Sequence, residues 1–65
     1  MKVGDPVKFT KEVDPNATEI GFVIVKPYAS IMNNGNLTVE TKVVDVLFGV
    51  DIVEKVPLDC LEIIF

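Results

Sequence analysis

Val7-Lys8-Phe9-Thr10 steps from apolar to polar and back, the alternation of a strand that lays one face on a core. Gly4-Asp5-Pro6 before it reads as a turn. Lys11 to Glu19 is a polar loop around Asp14-Pro15-Asn16. Asp before Pro fits either the cap of one short helical turn or the opening of a type I turn. The run Ile20-Gly21-Phe22-Val23-Ile24-Val25-Lys26 predicts a second strand, with Ile20, Phe22 and Ile24 on one face and Val23 and Val25 on the other. A strand apolar on both faces is expected to be covered on both. Gly21 suits a bulge or a sharp bend within it, and Pro27 ends it.

Asn33-Asn34-Gly35-Asn36 is the strongest turn signal in the chain, because Asn-Gly tolerates the positive φ of a tight hairpin. It separates Tyr28-Ala29-Ser30-Ile31-Met32 from the long run Leu37 to Phe48. In that run Leu37 and Val39 keep one phase, and Val44, Val46 and Phe48 keep the opposite one. A switch near Lys42-Val43 predicts a bulge or strong bend. Gly49-Val50 then reads as a two-residue hairpin loop and Asp51 to Val56 as a fourth strand. Pro57-Leu58-Asp59-Cys60 fits a 3₁₀ turn, and Leu61 to Phe65 a fifth strand. The expectation is an all-β single domain over residues 1–65, a five-stranded, strongly bent sheet curled into a small barrel.

Size sharpens this picture. A 65-residue chain is marginal as a lone domain and usually needs a staple or a partner. Cys60 is the only cysteine and there is no His, so neither an internal disulfide nor a structural zinc site is expected, and no cofactor. Hydrophobic residues make up 49% of the chain, more than so small a barrel can hide. The surplus predicts an apolar surface patch of the kind that marks an interface. Val23 and Val25, which a single chain is not expected to cover, and the terminal Ile63, Ile64 and Phe65 are the candidates for a contact between copies.

Charge argues in another direction. The net charge is −4, Arg is absent, and the acidic excess lies wholly after Lys26. Phosphate binding draws on basic groups, Arg above all, so this balance weighs against nucleic acid as a partner. With no His, no Arg, one Ser and one Cys, the usual nucleophile–base pairs are missing, and no enzyme is expected. No apolar run approaches the roughly 20 residues that span a membrane, and Met1-Lys2-Val3-Gly4-Asp5 lacks the apolar stretch of a signal peptide. A cytoplasmic protein is expected. Asn16-Ala17-Thr18 and Asn36-Leu37-Thr38 match the glycosylation pattern, which carries no weight without secretion.

The frame "VGDPVKF…EIGFVIV…VVDVLFGVDIVEKVPLDCLEII" resembles SH3-like small barrels, which open with Gly-Asp-x-Val and end Val-Pro-x-x-x-Leu-Glu before the closing strand. Over its whole length the chain is also similar to the small Sm-like (LSm) proteins of cyanophage origin sampled from marine metagenomes. That resemblance implies a closed homo-oligomeric ring in which the fourth strand of one copy pairs with the fifth of the next. Ile52, Val53 and Val56 would then receive Ile63, Ile64 and Phe65 of a neighbour, inside a phage-infected host cell. It also implies single-stranded, often U-rich RNA, or DNA, as a ligand. The Sm signature residues are missing, since Asp-x-aromatic-x-Asn does not occur and Lys55 to Cys60 contains no Arg-Gly. No RNA-contact residue therefore carries over by match.

The candidates for nucleic-acid contact come instead from their chemistry. Lys8, Lys11 and Lys26 supply positive charge that a ring would repeat as a collar on one face. Tyr28 beside Lys26 offers a ring for a base to stack on, against the plainer reading of a cap on the barrel mouth. Asn33, Asn34 and Asn36 carry amides able to read base edges, although turn chemistry accounts for them without a ligand. The alternative to a nucleic-acid-binding ring is an SH3-like protein-interaction or assembly module of a phage. One Tyr and no Trp make a proline-motif groove a poor fit in that case.

Overall fold

The computed structural model describes residues 1–64, with Asn34 described by its backbone alone. The strands are β1 (Pro6–Phe9), β2 (Gly21–Val23), β3 (Tyr28–Asn34), β4 (Leu37–Phe48), β5 (Asp51–Pro57) and β6 (Leu61–Ile63), with a 3₁₀ turn at Leu58–Cys60 before β6. All pairings are antiparallel. The fold is all-β, as the alternation predicts, with six strands where five are expected. The expected strand Ile20–Lys26 keeps ladder pairing only over Gly21–Val23, and the chain re-enters the sheet at Tyr28. β2 thus stops at Val23, short of the predicted end at Pro27, although Ile24 N–H still donates to the Asp45 carbonyl at 3.1 Å; Pro27, which has no N–H to give, lies within the gap.

β4 organises the sheet. Its first half pairs with β3, from Asn34↔Leu37 to Tyr28↔Val43. Its second half pairs with β2 on that same side and with β5 on the other. β1 then joins β2, and β6 joins β1. A 12-residue strand can serve neighbours at different places only by bending, and the burial shows where it does. Val43 and Val44, adjacent residues on opposite faces, are both buried, so the strand is covered on both sides at that point. Before it, residues 37–40 are exposed; after it, Val46 and Phe48 face inward.

The phase switch falls at the predicted place, and of the two expected forms β4 takes the bend, while the bulge lies on its partner strand. Val44 is opposite Val56 and Val46 opposite Val53, so the extra residue belongs to β5, around Glu54-Lys55. Lys55 takes φ +57°, the only positive φ of a non-glycine residue among the described residues. The two hairpin loops are Gly35–Asn36, closed by Asn34↔Leu37, and Gly49–Val50, closed by Phe48↔Asp51. Each sets its glycine at a positive φ, +64° and +62°. At Asp14 the helical-turn alternative is not taken. Asp14 and Ala17 close a turn over Pro15, with Ala17 N–H donating to the Asp14 carbonyl at 3.0 Å and Asn16 N–H to Asp14 Oδ1 at 3.1 Å.

The concave side of the sheet holds the core: Val7, Val23, Val44, Val46, Phe48, Val56 and Leu61. Met1, Phe9, Leu58, Cys60 and Ile63 pack against it. Phe9 stacks on Phe48 with ring centres 5.4 Å apart. Cys60 acts here as a small hydrophobe.

Candidate functional site

Two features could meet a partner: the strand edges and the exposed side chains. β5 pairs with β4 alone and β6 with β1 alone, so the two end strands of the curled sheet each keep one free edge. Among the described residues no ladder joins β5 to β6. The 3₁₀ turn between them carries the chain from one end of the sheet to the other. β3 also pairs on one side only, and the first half of β4 lacks a neighbour where β5 stops at Val43.

The predicted contact residues divide on inspection. Val23 is 1% exposed and Val56 4% exposed, both within the core of their own chain. The expectation that a single chain leaves Val23 uncovered is therefore corrected: Val23 lies opposite Val46 on the concave side, and the curl of the sheet supplies the missing layer. Val25 and Ile64 are half-buried, as is Ile63 against the core. Ile52 and Val53 on β5 are exposed. Phe65 lies outside the described residues.

The apolar surplus emerges on the other face. Phe22, Leu47 and Ile52 stand in one row across β2, β4 and β5, with Phe22 51% and Ile52 57% exposed. Ile20 and Ile24, on the Phe22 face of their segment, are also exposed. The β3–β4 hairpin adds Ile31, Met32, Leu37 and Val39. An alternating pattern shows that a strand has two apolar faces. Which one is concave depends on the direction of the curl, which the pattern does not carry.

The residues considered for nucleic acid are not brought together. Lys8 forms an ion pair with Glu62, directly opposite on β6, at 3.3 Å. Lys11 lies exposed in the loop after β1, and Lys26 exposed in the link before β3. Tyr28 starts β3, and Asn33 lies five residues on, about 17 Å at the rise of a strand. Asn33 and Asn36 are exposed at the hairpin end, where Thr38 donates its hydroxyl to Asn33 Oδ1 at 3.4 Å. The side chain of Asn34 lies outside what is described. The arrangement is three separate stations, and any shared ligand must run between them.

One polar cluster was not foreseen. Asp45 Oδ1 accepts the Tyr28 hydroxyl at 2.7 Å and the Lys55 N–H at 3.1 Å. One carboxylate oxygen thus ties the root of β3 to the bulge of β5 across β4. It gives the positive-φ residue a partner for its N–H, which suits a bulge that the ladder cannot satisfy. The only sequence signal was an acid interrupting the run of valines and leucine from Val43 to Leu47. The hydrogen bond to Asp45 pushes the Tyr28 phenol above its ordinary value of 10.0, with burial and the Asp45 charge acting in the same direction. A raised tyrosine favours the neutral form in the fold. Its contribution is complete below the unfolded value near 10 and is lost as pH rises through the higher folded value. Tyr28 is the only tyrosine and there is no Trp, so absorbance at 295 nm reports this group cleanly. The expected titration midpoint lies above 10 in the native protein and moves back toward 10 in urea or on Asp45→Asn. A native midpoint at or below 10 would remove the Asp45 contact.

A cavity of about 380 Å³ opens between the loop preceding β2 and the start of β5. No helix among the described residues is long and apolar enough to cross a membrane. In comparisons with protein-family models, curated proteins and solved structures, none matches the chain.

Proposed function

We propose that the chain is the subunit of an Sm-like homo-oligomeric ring, with β5 of one copy pairing with β6 of the next, and that the ring binds single-stranded RNA or DNA. The free outer edges of the two end strands support this reading most. Unpaired strand edges invite pairing with another chain, and head-to-tail pairing that closes on itself leaves none open. The resemblance of the whole chain to phage-encoded Sm-like proteins points the same way. Lys11 and Lys26, both exposed, are the groups to which phosphate contact is assigned, repeated around the ring. Lys8 is set aside from the notional collar because Glu62 holds it.

A second reading, an SH3-like protein-assembly module of a phage without nucleic-acid binding, is favoured by that same Lys8–Glu62 pair and by the net charge of −4. Native mass spectrometry with a short U-rich RNA at low salt tests both. A closed oligomer of about five to eight copies carrying RNA upholds the first. A ring that ignores RNA leaves the second, and a monomer removes the ring. In Lys11→Glu/Lys26→Glu the oligomer is expected to persist, while RNA affinity at low salt falls by about tenfold or more. Unchanged RNA affinity would take these lysines out of the proposed interface.

A further inference from the structure

We propose that the cavity beside β5 is a binding site for an organic cation, a guanidinium or ammonium group carried on an alkyl stem. Its lining sets this chemistry. Phe9, Phe48 and Val53 supply the apolar part, with the two rings stacked at 5.4 Å. Asp14, Glu19 and Asp51 supply three carboxylates, and no lysine lines it. Among the described residues the one ion pair is Lys8–Glu62, so none of these three acids is neutralised within the chain. Asp14 Oδ1 accepts the Asn16 N–H, which holds the side chain in the turn, and among the described residues the other oxygen has no hydrogen-bond partner.

Other ligand classes fit less well. Three carboxylates repel an anion such as phosphate. Among the described residues no three acids stand close enough together to hold a metal ion. A wholly apolar ligand would have to strip water from the acids without replacing it. A cation on an alkyl stem meets both parts at once. The stem lies on the apolar lining of Phe9, Phe48 and Val53, and the charge reaches the carboxylates. The cavity involves neither lysine assigned to nucleic acid, but Asp51 and Val53 of its lining lie on β5, the strand proposed to pair with a neighbouring copy, so the binding titration is read beside the oligomeric mass.

The experiment is a nitrogen–proton correlation titration of the whole protein with Nα-acetylarginine methylamide, against its neutral citrulline counterpart. Saturable shifts are expected over residues 14–19, at Phe9 and Phe48, and over residues 51–53. The ligand methylenes should move upfield from the ring currents. Citrulline is expected to bind about fivefold more weakly, and Glu19→Gln/Asp51→Asn to weaken arginine binding about five- to tenfold. Both substitutions are at exposed positions, so folding is retained. A glycine-flanked arginine peptide and free agmatine identify the source. A gain of about tenfold for the peptide assigns the site to a protein segment, and parity assigns it to a small molecule. Three results would overturn the proposal: no saturation at tens of millimolar, equal binding of citrulline, or arginine shifts that the double substitution leaves unchanged.

Discussion

Gly21→Ala is expected to destabilise the fold by about 1–3 kcal/mol, the range of an added methyl in a packed core. The Cβ would sit 2.6 Å from Val46 Cγ1 and 2.8 Å from both Phe48 Cδ1 and Cε1. None of these atoms belongs to a free chain end: Val46 is wholly buried, and Phe48 is nearly so and stacked on Phe9. Room can come only from displacing the ring or from parting β2 and β4, which are paired here through Phe22↔Leu47 and Val23↔Val46. Against this, alanine restrains the unfolded chain more than glycine does, worth about 0.4–1 kcal/mol in favour of folding. The two terms have opposite signs, and their sizes decide for destabilisation. Urea unfolding followed by circular dichroism reads the result as a lower midpoint with an unchanged slope. A neutral or stabilising Gly21→Ala would mean that the sheet can open at this point without cost. Gly35→Ala is the useful contrast. Nothing lies within 4 Å of its Cβ, and only the positive φ opposes it, at about 1–2 kcal/mol.

Gly21 also shows how far the sequence could be read. A glycine inside an apolar strand pointed to a close approach or a bend, and the structure makes it a close approach, with Val46 and Phe48 filling the space a side chain would take. The strand from Leu37 to Phe48, its phase switch, the Gly49–Val50 loop and the 3₁₀ turn before the last strand all follow from local chemistry, and all are found. What failed depended on relations between strands. The extra residue of the bulge sits on β5 because Asp45 is there to hold Lys55 N–H, a contact between residues ten apart that no local pattern contains. The expectation that Val23 lies uncovered in a single chain fails for the same reason. Alternation orders the residues onto two faces, and only the direction of curl makes Val23 core and Phe22 surface. The candidate site was least legible. The basic, aromatic and amide residues chosen for their chemistry lie at separate places along the sheet, and the cavity is built by residues from opposite ends of the chain, Phe9 and Val53 among them.

The ring reading makes its largest demand on Ile52 and Ile64. Ile52→Lys and Ile64→Asp are each expected to convert the oligomer into 7.2 kDa monomers at micromolar concentration. Ile52 stands 57% exposed on β5, one end of the sheet, so a lysine there costs the isolated chain no more than about 0.5 kcal/mol. Ile64 follows β6 at the other end, half-buried, with its N–H donated to the Pro6 carbonyl at 2.8 Å. A contact that covers either isoleucine loses about 1.5 kcal/mol of apolar burial when it is replaced, and desolvating the new charge adds about 2 kcal/mol or more. Together that is over a hundredfold in the association constant of one interface. In a closed ring every copy uses both edges, so one substitution is felt at every interface around the circle, and assembly should collapse over a narrow range of concentration. Circular dichroism separates lost assembly from lost folding, which matters more for Ile64→Asp because part of that side chain is already covered. If both variants keep the oligomeric mass of the parent chain, the contact lies elsewhere. The exposed β3 edge would be the next surface to test, because an intact Ile52→Lys oligomer also argues against the Phe22–Leu47–Ile52 face. A parent chain that is itself monomeric would remove the ring outright, leaving β5 and β6 as free edges whose protection against open-ended pairing rests on the β5 bulge, Pro57 and the charges of Asp51, Glu54, Lys55 and Glu62.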